Sequence, residues 1–448
     1  MSAKPTDRSE ALLSDLIAAA KKAGADAADA LLAENVSASV SYRLGKLEDV
    51  ERSESSAVGL RVFVGQQVAF VSSTDLSTEA LAALPGRATA MAKLAPEDRF
   101  ACLAPPERLA KTFPALDIAD ADEPSADLLV ERARAAEGAA LAVKGITNSE
   151  GGGAGFERTA LALATSEGFF GRAAGTRHSI QVAVLAGEGC MERDEDFSTA
   201  RHAADLETPD VVGRRAADRA VARLGPRKAK SQTVPVVFDP REAAGLISHL
   251  AQAISGAAIA RGVSFLKDCL GQAIFAPGVT VIDDPHRLRG LRSMPFDGEG
   301  VANTRRAVIE NGVLTTWLLD CASARQLGLA TTGHAARGIS GPPSPSPTNF
   351  FLLPGPLSPD ELIADIKQGF YVTELMGMGV NPVTGDYSRG AAGFWIENGK
   401  IAYPVAEVTV AGNLKDMFRR LTPASDLVFR TGTDAPTLRI EEMTVAGE

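Results

Sequence analysis

Histidines are scarce in this chain, and their placement limits the hydrolytic chemistry it can support. There are five, His178, His202, His249, His286 and His334, and no two stand four residues apart. Only His249 falls in the middle of a segment with helical periodicity, LISHLAQAISG. A catalytic zinc needs about three protein ligands, an open water position and a carboxylate to accept the water's proton. The residues after His249 are Leu250, Ala251, Gln252, Ala253 and Ile254, so this helix supplies neither a base nor a second ligand. A lone histidine among apolar helical neighbours reads as a core or interface residue. His286, in DDPHRLRG, has Asp283 and Asp284 close by in sequence. With His249 these residues compose the alternative site, that of an independently active metal-dependent peptidase. DDP also initiates turns well, and a turn followed by a surface histidine is the simpler reading.

Other chemistry-bearing segments are weaker. Gly151, Gly152, Gly153 and Gly155 suggest a phosphate loop, but no Gly-Lys-Ser/Thr follows and the downstream residues alternate like a strand. A hairpin turn is expected there. The acidic cluster Glu192, Asp194, Glu195 and Asp196 lacks the spacing and central glycine of a calcium loop and is expected as a solvated loop. GISGPPSPS has no strand–elbow–helix setting for a nucleophilic serine, and its prolines indicate an extended loop. Cys102, Cys190, Cys269 and Cys321 are far apart with no CxxC spacing, which predicts buried, reduced thiols.

Charge and composition exclude further classes. With 46 basic and 56 acidic residues and no basic block, the footprint of a nucleic-acid binder is missing. Aromatic residues, at 5%, are too few for base-stacking surfaces. No apolar run reaches about 18 residues, and charges interrupt the N-terminal segment, so a cytoplasmic protein is expected.

The elements that must position these residues follow from periodicity. Leu12, Leu13, Leu16, Ile17 and Ala20 form one helical stripe over residues 9–23. Period-two texture from Ser37 to Ser73, with Gly45 and Gly65 at turns, predicts an antiparallel meander. Helices are expected near 77–94, from an N-cap at Ser125 to about 143, and near 209–224, with strands between the last two. The polar segment Gly225–Gln232 separates a 1–228 domain from a 229–448 domain. The second opens with the strand TVPVVFDP and a helix over about 241–259. It then becomes β-rich, with ENG hairpin turns at Glu310–Gly312 and Glu397–Gly399. The fold class is α+β: an N-terminal α/β-meander domain followed by a β-rich C-terminal domain.

Several segments, taken in order, resemble the TldD/PmbA family, once named modulators of DNA gyrase, and more narrowly its PmbA (TldE) branch. They are VVFDP (236–240), GVSFLKDCLG (262–271), IDDP (282–285), PFDGEG (295–300), TTGHAARG (331–338), GMGVNPVTGDYSRGAAGFWIENGKIAYPV (377–405) and APTLRIEEMTVAG (435–447). The resemblance runs from near residue 60 to the end of the chain. In that family the TldD branch holds zinc with an HExxxH helix and a C-terminal cysteine. Placed over LISHLAQAI, that motif leaves His249 at the first histidine, Leu250 at the glutamate and Ile254 at the second histidine, and no cysteine follows Cys321.

The resemblance therefore implies a chain with no metal or catalytic residues of its own. Zinc would be carried by a TldD-like subunit, and the two chains as a heterodimer would cleave unfolded or flexible peptides. This would serve peptide-precursor maturation or the degradation of small labile proteins. A homodimer of the isolated chain stays open. Besides the independently active peptidase, a third reading is a binding module that modulates a topoisomerase or toxin system.

Overall fold

The computed structural model describes residues 5–448. Its N-terminal half repeats one unit twice. The first copy runs α1 (Pro5–Lys22), β1 (Ala27–Arg43), β2 (Lys46–Val64), β3 (Gln67–Ser73) and α2 (Thr78–Ala92). The second runs α3 (Ala126–Leu141), β4 (Ile146–Thr165), β5 (Phe170–Ala186), β6 (Glu192–Ala200) and α4 (Pro209–Ala222). β1 and β4 pair antiparallel, so all six strands form a single sheet in the order β3-β2-β1-β4-β5-β6.

Alternation along the strands assigns the two faces of this sheet. Ala28, Ala30 and Leu32 of β1 and Ala162 and Ala164 of β4 pack in one core with Leu13 and Leu16 of α1 and Leu84 and Ala88 of α2. Further along the same face, Val40 and Ala154 meet Leu129 and Ala133 of α3. The opposite face presents Leu31 and Leu163 to Phe296 and Val301 of the C-terminal half. The sheet is covered on both sides at its centre, which explains why β1 is buried without interruption from Ala28 to Leu32.

Local chemistry sets the element ends as the sequence predicts. Ser125, the expected N-cap, accepts from Leu128 N, and α2 is likewise capped by Ser77, which accepts from Ala80 N. Gly45 and Gly65 turn the meander with positive φ.

Two expectations are corrected here. Gly151–Gly155 lie inside β4 and not at a turn, because α3 presses directly onto that strand. A Cβ on Gly152 would lie 2.3 Å from the Ala133 carbonyl oxygen. Glu192–Asp196 are not a solvated loop but the start of β6, with Asp194 and Asp196 buried against arginines.

The C-terminal half begins with β7 (Gln232–Phe238) and α5 (Pro240–Ala253), which is capped by Asp239 and has Pro240 at its first position. The expected single helix to 259 breaks after Ala253, since Gly256 N donates to the Leu318 carbonyl. It resumes as α6 (Gly256–Ala260). β8 (Val281–Asp284), β9 (Arg306–Glu310), β10 (Val313–Leu314), α7 (Cys321–Leu327), β11 (Ala335–Ala336), β12 (Ser344–Pro345), β13 (Asn349–Leu352) and α8 (Pro359–Ile363) follow. The chain ends with β14 (Gln368–Met376), β15 (Asp386–Glu397), β16 (Lys400–Asn413), α9 (Leu414–Arg419), β17 (Leu421–Pro423), β18 (Thr433–Asp434) and β19 (Leu438–Ala446).

β7, β14, β15, β16 and β19 form a closed ring, because β16 pairs with β19 as well as with β15. β8, β9, β10, β13 and β18 make a second sheet, and α5 packs between the two around one large apolar core. Both ENG turns are hairpins with consecutive positive φ, 48° and 83° at Asn311–Gly312 and 49° and 76° at Asn398–Gly399. This is the type I′ geometry that asparagine–glycine favours. The observed class is α+β, with the β-rich portion in the C-terminal half.

Candidate functional site

α5 has two chemically different faces. Ala243, Leu246, Ile247, Leu250 and Ile254 point into the core, and Leu250 and Ile254 are 0% exposed. Glu242 and His249, seven residues apart, share the other face. β15 brings Tyr387 and Arg389 to that face; two residues apart on a strand, they point the same way. The His249 and Tyr387 rings meet edge-on with centroids 6.2 Å apart. The Tyr387 hydroxyl is buried without a hydrogen-bond partner. Arg389 donates to the Leu375 carbonyl at 3.1 Å, while its Nε is unpartnered.

Electrostatics couples the four side chains. Burial pushes the Glu242 carboxyl up to about 7, against the opposing pull of Arg241 and Arg389. Burial, and then the charge of Arg389, holds the His249 imidazole below its ordinary range. Burial raises the Tyr387 phenol, with Arg389 pulling the other way. At neutral pH the face holds a carboxyl poised between its two forms, a neutral imidazole, a neutral phenol and one guanidinium. Such a group can hydrogen-bond a peptide carbonyl or exchange a proton.

The face does not fit a catalytic zinc. It offers two ligand-type side chains where about three are needed, and Arg389 beside them opposes a divalent cation. The positions set against the second histidine and the glutamate, Ile254 and Leu250, lie in the core, away from His249's face. Among the described residues no three His, Cys, Asp or Glu side chains converge as metal ligands.

The alternative site is not assembled. Asp283 takes hydrogen bonds from Thr348 N at 2.6 Å and Thr348 Oγ1 at 2.7 Å, and its Oδ2 lies 3.2 Å from His334 Nε2. Asp284 accepts from the His286 backbone N–H at 3.0 Å, as the turn reading requires. The His286 ring is half-buried and not on the surface, with Nε2 2.8 Å from Asn303 Oδ1. His178 and His202 belong to the N-terminal half, where they lie against Asp120 and Asp117. All four cysteines are free; Cys321 is buried, Cys102 and Cys269 half-buried, and Cys190 exposed, contrary to the expectation for that residue.

Sequence reasoning missed the side chains that fasten the two halves together. Asp29 of β1 pairs with Arg61 of β2 and, at 2.8 Å, with Arg337 of the C-terminal half; Arg61 also faces Glu299 at 3.8 Å. Asp196 of β6 gathers Arg215, Arg219 and Arg430. Glu299 and Arg337 lie in two of the quoted motifs, PFDGEG and TTGHAARG, but those words do not reveal partners some 240 to 310 residues away in the chain.

The structure is thus a helix-backed antiparallel sheet fastened to a closed barrel, with the half-buried polar face of α5 against Tyr387 and Arg389 of β15. Three family models match in order: PmbA/TldA metallopeptidase domain 1 at residues 28–92, the central domain at 119–224 and the C-terminal domain at 231–447. The chain belongs to the PmbA/TldD metallopeptidase family. Metalloprotease PmbA of Escherichia coli O157:H7 is 42% identical over 426 residues, covering 94% of this chain and 93% of that protein. A crystal structure from Bacteroides thetaiotaomicron, of a protein named for a modulator of DNA gyrase, superposes with a TM-score of 0.91 at 27% identity over 99% of both chains. TldE from Thermococcus kodakarensis shares the fold with a TM-score of 0.87 at 22% identity, over 97% of this chain and 99% of that one. Among the described residues no helix is long and apolar enough to cross a membrane.

Proposed function

We propose that this chain is the TldE-type, non-catalytic subunit of a cytoplasmic two-chain metallopeptidase whose zinc and general base reside in a TldD-type partner. The observation that carries this reading is the outward face of α5, where His249 and Glu242 have Arg389 and Tyr387 for company in place of a third ligand. The substrates are unfolded or flexible peptides. Such peptides gain affinity by pairing their main chain with a sheet edge, which demands little of their side chains. Glu242, Tyr387 and Arg389 provide hydrogen-bonding groups to the chamber that the partner completes.

The test is metal analysis and peptide cleavage by the purified chain alone and mixed with a TldD-type chain from the same genome. The isolated chain is expected to hold no stoichiometric zinc and to cleave nothing, whereas the mixture cleaves an unfolded peptide in a chelator-sensitive way. Stoichiometric zinc on the isolated chain, or cleavage without the partner, overturns the proposal.

A further inference from the structure

A cavity of about 310 Å³ lies between the outer face of the N-terminal sheet and the loops of the C-terminal half. It is separate from the α5 face, sharing no residue with it. Its apolar side is built from Leu31 of β1, Leu161 and Leu163 of β4, and Met294 and Phe296. Leu31, Leu161 and Leu163 project from the odd-numbered face of the sheet, which the helices leave uncovered.

The exposed Arg292 and the half-buried Ser346 also line the cavity, whose buried or half-buried polar side includes Asp297, Asn303, His334, Arg337 and Thr348. Nearly all of its hydrogen-bonding capacity is already used. Asp297 Oδ1 accepts from Glu299 N and Val301 N, and Oδ2 from Ala335 N. Asn303 donates to the Met294 carbonyl and faces His286 through its oxygen. Both nitrogens of the His334 ring are engaged, with Thr332 Oγ1 at 2.8 Å and Asp283 Oδ2 at 3.2 Å. Thr348 commits its amide and hydroxyl to Asp283. Arg337 is the exception among the buried groups. Its side chain is only 2% exposed, its Nη1 stands 2.8 Å from Asp29 Oδ1, and its Nε has no hydrogen-bond partner. A buried donor left unpaired is costly, and a cationic one more so.

The local charge balance has the same sign. Asp29 is shared by two guanidiniums, those of Arg61 and Arg337. Burial raises its pKa, but the charges of Arg337 and then Arg61 outweigh this and keep it ionised. Burial and the charge of Glu299 push Asp297 up to about 7, and burial raises Glu299 despite Arg61. The guanidiniums of Arg61 and Arg337 thus share the Asp29 carboxylate, with Glu299 3.8 Å from Arg61.

From this arrangement we infer that the cavity is a binding site for a small carboxylate carrying an apolar chain, the carboxylate against Arg337 and the chain against Leu31, Leu161 and Leu163. At about 30 Å³ per water-sized group the space holds roughly ten non-hydrogen atoms. That is the size of one leucine-like residue, at the small end of ligand pockets. The same chemistry is presented by a free branched-chain acid and by the C-terminal residue of a peptide. The inference does not depend on the proposed peptidase role, and a failed zinc test leaves it standing.

The experiment is calorimetric titration of the full chain with 4-methylpentanoate, with its amide 4-methylpentanamide, and with N-acetyl-Ala-Leu carrying a free or an amidated C-terminus. Either acid is expected to bind about tenfold or more tightly than its amide, the range for a hydrogen bond to a charged group. Tighter binding of the dipeptide acid identifies a peptide terminus as the ligand; tighter binding of 4-methylpentanoate identifies a free acid. Leu161→Phe, which fills the cavity without touching a charge, is expected to abolish binding while thermal unfolding stays near wild type. Arg337→Gln is expected to erase the preference for acid over amide; should that variant fail to fold, Leu161→Phe and the acid-to-amide ratio still decide. No acid binding at millimolar concentration, equal binding of acid and amide, or binding unchanged in Leu161→Phe overturns the inference.

Discussion

Two arginine–carboxylate clusters join the halves of this protein, and they differ chiefly in their contact with water. Around Asp29 every ionic side chain is buried: Asp29 and Glu299 are 1% exposed, Arg61 4% and Arg337 2%. Around Asp196 the carboxylate is equally buried, but Arg215, Arg219 and Arg430 retain between 22% and 31% of their exposure. The first cluster works in a medium where an unpaired charge has no solvent to turn to. The second has solvated arginine heads that salt can screen. Similar residue types therefore give a rigid, partner-dependent joint in one place and an adjustable one in the other.

The sharpest way to break this contrast is Asp29→Ala, which leaves Arg61 and Arg337 without their shared carboxylate. A loss of about 3–5 kcal/mol is expected from urea unfolding, nearly independent of salt. A loss below about 1 kcal/mol would remove the distinction between the two joints.

Asp297, beside the buried cluster, sets a pH dependence. Its folded-state pKa of about 7 lies above that of an unfolded aspartate, so between about pH 4 and 7 the folded state binds the proton that the unfolded chain releases. Stability from this group is therefore full below about pH 4 and declines as pH rises through 7, by on the order of a few kcal/mol. Asp297→Asn is expected to flatten that decline in unfolding curves taken across the range. An unchanged slope would assign it to other groups, such as Glu242.

The smallest effect is expected from Arg430→Met, which leaves Asp196 with two arginines. The cost should be about 1 kcal/mol in low salt and shrink as sodium chloride is added. A salt-independent cost would make the second joint as closed as the first.

What could be read in advance was local. Ser125 as a cap, Gly45 and Gly65 as turns, and the two Asn-Gly hairpins each state their geometry within a few residues, and the structure agrees. The misread segments depend on distant partners. Asp194 and Asp196 look solvent-loving until Arg215, Arg219, Arg241 and Arg430 arrive from three other places in the chain. Gly151–Gly155 resemble a turn until α3 is laid across them. Closure of the barrel by β16 and β19 is likewise a non-local event with no local mark. The α5 face was half legible: His249 could be singled out and its missing companions counted. Tyr387 and Arg389, which replace them, sit about 140 residues downstream within a motif quoted only as a family likeness.

The register of β2 has a consequence for assembly. β3 covers only Val58–Val64 of that strand, so Lys46–Ala57 has β1 on one side and no strand on the other among the described residues. The barrel is closed through β16 and β19 at Thr409–Ala411, which leaves a shorter border along Lys400–Val408, bridged once by Arg227 at Val405. The open stretch of β2 is studded with Lys46, Glu48, Asp49, Glu51, Arg52 and Glu54, the kind of charged border that keeps an unpaired strand from adhering to another sheet. The chain thus guards its long free margin from fibrillar association electrostatically in one half, and in the other joins its longest strands into a ring.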